Sequence, residues 1–185
     1  MTLISLQQIA LKKITLFLAG MGLLFTQTTG SAQTEVRSMK NIEMTIWQLS
    51  DTISRTMPTS KKSIESLLGI EFKEEGNTPF VLLTSEPGIK LADSVGIDKV
   101  SLFIKPSMVF DEKSAFALEL SGACIPLAAV REHYGQLTLT QSPRGRSLEE
   151  TTVYTVNQPW GSLAFAFKEK QPACLFSMTF RTTRL

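Results

Sequence analysis

Apolar residues recur at three- and four-residue steps through Met39, Ile42, Ile46, Leu49 and Ile53, with Lys40, Glu43, Gln48 and Asp51 between them. One apolar stripe of this kind predicts a helix over residues 36–56. Pro58 ends it, because the residue before a proline is pushed out of the α region. Thr59 or Ser60 then caps a short second helix, Lys61 to Leu68, with Gly69 as its stop. After Gly69 the period falls towards two. Strands are predicted at 70–73, 80–84, 100–105 and 115–120, with a turn at Gly76-Asn77 and a loop from Pro106 to Lys113. Residues 89–98 are polar enough to read as loop or one loose helical turn.

A third helix opens at Pro126, turns Leu127, Val130 and Tyr134 inward, and stops at Gly135. Four more strands follow at 136–140, 151–156, 162–167 and 173–180, punctuated by Pro143-Arg144-Gly145, Gln158-Pro159 and Gln171-Pro172. In Leu163-Ala164-Phe165-Ala166-Phe167 the large residues take one face and the alanines the other. In the last strand the same alternation puts Cys174, Phe176, Met178 and Phe180 on the core side. The expected fold is α+β: an antiparallel sheet of about eight strands backed by N-terminal and central helices.

The first 32 residues stand apart. Lys12 and Lys13 precede an apolar run from Ile14 to Phe25, and a polar stretch leads to small residues at Gly30 and Ala32. About a dozen apolar residues suit a secretory signal, with cleavage after Ala32. A membrane-spanning helix needs about 20, so no span is expected after cleavage. The single domain then runs over 33–185 and is periplasmic or secreted. Its removal takes two lysines and no acid from 19 basic and 17 acidic residues, so the remaining chain is neutral. Neutrality without a Lys/Arg block argues against nucleic acid.

Cys124 and Cys174 are the only cysteines. In an oxidising compartment an even pair is most simply a disulfide. Closing so long a loop stabilises by roughly 4 kcal/mol in the chain-entropy account.

The two halves, 59–122 and 123–185, each read as a helix, a glycine stop and four strands. Gly69 matches Gly135, and Ser101-Leu102 matches Ser162-Leu163 at a smaller offset. Either these are repeats or two α+β stretches are alike by chance. The element order resembles the tandem modules of β-lactamase-inhibitor-like proteins. That resemblance covers most of the chain after the signal, rests on element order alone, and carries over no binding residue. It implies a curved sheet backed by helices, with the open face and loops gripping a partner protein.

Chemistry is poorly represented. His133 is the only histidine, and no Gly-x-Ser-x-Gly elbow supplies a nucleophile for a triad. One histidine and a bridged cysteine pair do not make a zinc site. Asp93, Asp98, Asp111 and Glu112 do not follow a calcium-loop pattern. Glu149-Glu150 reads as solvated loop charge, and neither a phosphate loop nor a dinucleotide fingerprint is present. No cofactor, metal or catalytic residue is therefore assigned, and an enzyme is not expected.

Candidate contact residues are Trp160 at a turn between strands, Arg144 and Arg146 on a loop tip, and Phe103, Lys105 and Tyr154 on the sheet's open face. Tryptophan and arginine are favoured at the centres of interfaces. Two functions fit. One is an exported protein that inhibits or neutralises a partner, either an immunity protein against a periplasm-targeting toxin or an inhibitor of an envelope hydrolase. The other is a small-molecule or lipid carrier, with Met39, Met44, Met57 and the late phenylalanines lining a pocket between sheet and helices.

Overall fold

A computed structural model describes residues 39–75, 81–104 and 114–182. The signal segment, the Gly76-Asn77 turn, Lys105 and the loop at 106–113 lie outside the described residues. Three helices are present: α1 (Ile46–Arg55), α2 (Lys61–Leu68) and α3 (Leu127–Tyr134). The strands are β1 (Lys40–Ile42), β2 (Lys73–Glu75), β3 (Val81–Ser85), β4 (Ile89–Leu91), β5 (Val95–Ile104), β6 (Ala115–Gly122), β7 (Thr138–Gln141), β8 (Thr151–Gln158), β9 (Gly161–Lys168) and β10 (Leu175–Thr182).

The fold is α+β, with one sheet of ten strands where about eight were expected. The two additional strands are β1 and β4. β1 falls inside the stretch predicted as helix, because α1 begins only at Ile46. Thr45 fixes that start: its side chain accepts from Gln48 N–H while Gln48 Oε1 accepts from Thr45 N–H. Such reciprocal capping satisfies two donors that the first turn otherwise leaves unpaired. The Ile46 amide is held from outside the helix, donating to Asp93 Oδ2 at 2.8 Å. Upstream of the cap, residues 40–42 pair in parallel with β4.

The supposed loop at 89–98 is β4, a turn and the start of β5. Ile89, Leu91, Val95 and Ile97 are all buried. The turn Ala92-Asp93-Ser94, with its two polar residues, separates the two short apolar pairs and hides them from a sequence pattern.

All other pairings are antiparallel. β5 is long enough to pair with β4 through its first half and β3 through its second. The main path runs β2-β3-β5-β6-β10-β9-β8-β7. Two antiparallel runs of four strands, each preceded by a helix, thus meet through their last strands, β6 and β10.

The core lies between one sheet face and the helices. α1 contributes Ile46, Leu49 and Ile53, α2 contributes Ile64 and Leu68, and α3 contributes Val130. The sheet answers with Val100, Leu102, Phe116, Leu118, Leu163, Phe165, Met178 and Phe180. α3 is tied to α1 by polar contacts as well. Tyr134 Oη donates to Ser50 Oγ at 2.6 Å, and His133 Nε2 lies 3.2 Å from Asp51 Oδ1. The Trp47 and His133 rings stack at 4.8 Å, and Tyr134 tilts against Phe165 at 5.0 Å.

The last strand corrects one detail of the facing. A register shift between Leu175 and Ser177 keeps Leu175, Met178 and Phe180 in the core. It leaves Phe176 half-buried under the Lys168 ammonium, 3.8 Å from its ring centroid. Cys174 stands before this strand, off the core, and forms the disulfide with Cys124.

Candidate functional site

The second face of the sheet carries none of the described helices. Period-two alternation fixes what it presents. On β5, Leu102 points to the core and Ser101 and Phe103 point away; on β9, Phe165 points to the core and Ala164 and Ala166 point away. Register then aligns these outward residues into rows. One row runs Ser101, Ala117, Thr179, Ala164, Thr155 and Thr138 across six adjacent strands. Every member is alanine, serine or threonine. Beside it, Phe103, Ala115, Arg181, Ser162 and Asn157 form a second row.

Small side chains make this surface shallow, so a partner can approach the sheet closely. Ala164 is only 4 % exposed in the middle of the row, while Phe103 is 41 % exposed beside it. The hydroxyls are partly paired among themselves: Thr140 Oγ1 and Thr155 Oγ1 are 2.8 Å apart. The middle row therefore offers small side chains and hydroxyl groups, with charge in the rows on either side of it at Arg181 and at Lys99 and Glu119.

The residues predicted as contacts do not form one patch. Phe103 lies on this second face, as expected, and Lys105 falls outside the described residues. Tyr154 is corrected to the other face: its register partner is the buried Phe165, and its ring packs edge-on to Phe167 with the Arg131 guanidinium 5.6 Å above it. Trp160 occupies the β8–β9 turn and stacks on buried Phe180 at 6.1 Å, closing the rim of the core.

Arg144 and Arg146 sit on the loop after β7, and here an unforeseen arrangement appears. Glu150 Oε2 accepts from the amides of Arg144, Gly145 and Arg146 at 2.6, 2.9 and 3.4 Å. Successive backbone N–H groups converging on one anion form a nest. Glu150 is thus the loop's internal brace, where the sequence suggested only solvated charge. Neither arginine side chain pairs with a carboxylate among the described residues. Its neighbour Glu149 bridges Lys168 and Lys170, each at 2.7 Å, and those hydrogen bonds pull its carboxyl down to about 2. Pro143 and Gly145 of the loop were visible in the sequence, but a nest depends on backbone direction and was not.

No protein family, curated protein or solved structure matches the chain. The site therefore stands on its own geometry.

Among the described residues no cluster of three His, Cys, Asp or Glu side chains is placed to hold a metal ion. No described helix is long and apolar enough to cross a membrane. His133 serves the α1–α3 contact. The methionines proposed for a carrier pocket divide: Met44 and Met57 pack against the core, whereas Met39 is exposed. Met39 edges a shallow depression of about 510 Å³ over Gly88, Gly96 and Gly122, away from the helices. The disulfide is a bond of oxidising compartments.

Proposed function

We propose that this chain is an exported, periplasmic or secreted protein-binding module that inhibits or neutralises a partner protein. An immunity protein against a periplasm-targeting toxin and an inhibitor of an envelope hydrolase are the two forms this takes. The observation that carries the reading is the row of small and hydroxylated side chains, Ser101 through Thr138, across six strands of the sheet face that carries none of the described helices. A surface built from small side chains suits a protein better than a small molecule, which is usually held in a concave pocket.

Topology supports the resemblance to tandem inhibitor-like modules. α2 leads into β2-β3-β5-β6 and α3 into β7-β8-β9-β10, and Ser101-Leu102 and Ser162-Leu163 occupy the third strand of each run. In both pairs the leucine is buried.

The test is capture followed by function. The disulfide-bonded protein is used to draw a partner from periplasmic extract supplemented with envelope-directed toxins and hydrolases. The captured partner is then assayed with and without the chain. Loss of its activity in a one-to-one complex supports the proposal. Full activity in the complex removes the inhibitory part of it.

A further inference from the structure

We propose that the free edge of β7, with the Arg144–Arg146 loop at its end, takes up an extended acidic segment of a partner protein as an added strand. This rests on the reading of the chain as a protein-binding module, and adds a second contact surface and the chemistry of what it holds.

β7 is the last strand of the sheet and, among the described residues, pairs with β8 alone. All four of its residues are exposed. A strand at an edge presents alternate N–H and C=O groups without a ladder partner, which is the requirement for strand addition. Leu139, in register with Tyr154 and 52 % exposed, gives an arriving segment an apolar contact on the core side.

Charge selects the segment. A cavity of about 540 Å³ opens where β7 ends, bordered by Thr140, Gln141, Pro143, Arg144, Arg146 and Glu150. Glu150 is its one acidic group, and one oxygen of that carboxylate already serves three backbone amides. Both guanidinium groups remain unpaired among the described residues. Arginine forks match carboxylates in a bidentate geometry. An extended chain lying on β7 therefore meets two cations at that strand's end, and acidic side chains there complement them.

The experiment titrates a labelled peptide, TVTLDED, and its basic counterpart, TVTLKRK, into the disulfide-bonded protein and into the Arg144→Glu/Arg146→Glu double variant. The acidic peptide is expected to bind saturably, with about tenfold weaker binding for the basic peptide and for the double variant. Added salt should weaken it further, and the amide resonances of Thr138–Gln141 should shift. Equal binding of both peptides, or undiminished binding by the double variant, overturns the proposal. So do shifts confined to the Ser101–Thr179 row, or a dimer of the chain that protects the β7 amides. If neither peptide binds while a partner is still captured, this inference fails and the protein-binding reading stands.

Discussion

The amide of Arg144 donates to Glu150 Oε2 at 2.6 Å, and through this contact a carboxylate four residues beyond Arg146 sets the shape of the arginine loop. Glu150→Gln retains the size and removes the charge. It should cost about 1 kcal/mol of stability or less, since a hydrogen bond to a charged group contributes modestly and this site is partly wet. The sharper readout is hydrogen exchange: the Gly145 and Arg146 amides should exchange faster in the variant. Unchanged exchange at both would mean the nest does not brace the loop.

Tyr134 joins the sheet to α1 through Ser50. Burial pushes its phenol up to about 12; the Ser50 hydrogen bond opposes this, and the Asp51 charge adds to it. A group whose folded value lies above its unfolded value near 10 contributes stability that is complete below pH 10. That contribution is lost as pH rises towards 12. Phenolate absorbance should show one tyrosine titrating late, and Tyr134→Phe should remove it. The variant should also be less stable at neutral pH by about 1 kcal/mol, because Ser50 is left buried without its donor.

Glu149 moves the opposite way. Hydrogen bonds from Lys168 and Lys170 hold its carboxyl at about 2. Its favourable interaction is present above the ordinary carboxylate value of 4.5 and is lost as pH falls through about 2. The group is exposed, so salt should screen the effect. A carboxyl NMR titration is expected to give a midpoint near 2 at low salt and a higher one in Lys168→Gln/Lys170→Gln. A midpoint unaffected by the two lysines would remove them as the cause.

Gly122 ends β6 at a φ of +76°, where a Cβ would meet the Ser94 carbonyl oxygen at 2.5 Å. Gly122→Ala should therefore destabilise by about 1–3 kcal/mol through both the backbone conformation and the clash. Urea denaturation checks this. A neutral substitution would show that the turn between β4 and β5 yields easily.

Much of the architecture was legible in local pattern. The apolar stripe from Ile46 to Ile53, the Ser60 cap, the glycine stops at Gly69 and Gly135, and the large–small alternation of β9 all appear where physical chemistry puts them. The errors arose where two patterns overlapped. Met39 and Ile42 continue the helical spacing, yet Thr45 captures Gln48 and the chain before it joins β4 as a strand. Strand β4 is three residues long, too short for a period to be seen.

The candidate site was less legible, for a structural reason. Its row of Ser101, Ala117, Thr179, Ala164 and Thr155 draws one small residue from each of five strands, and only register brings them together. The large aromatic residues Trp160 and Tyr154 face the core instead. Small residues give no signal singly. Their effect comes from being adjacent.

The most direct test of the protein-binding reading is capture by the wild-type chain beside capture by Thr179→Arg. Thr179 lies between Ala117 and Ala164 in the middle of the face opposite the described helices, and points away from the core. An arginine there should stand out from the surface and block a close-fitting partner while circular dichroism and thermal midpoint stay near those of wild type. A single partner is expected on the wild-type chain, with at least about a tenfold loss on the variant. Undiminished capture by a folded Thr179→Arg would contradict it, and would take the binding surface off this face of the sheet.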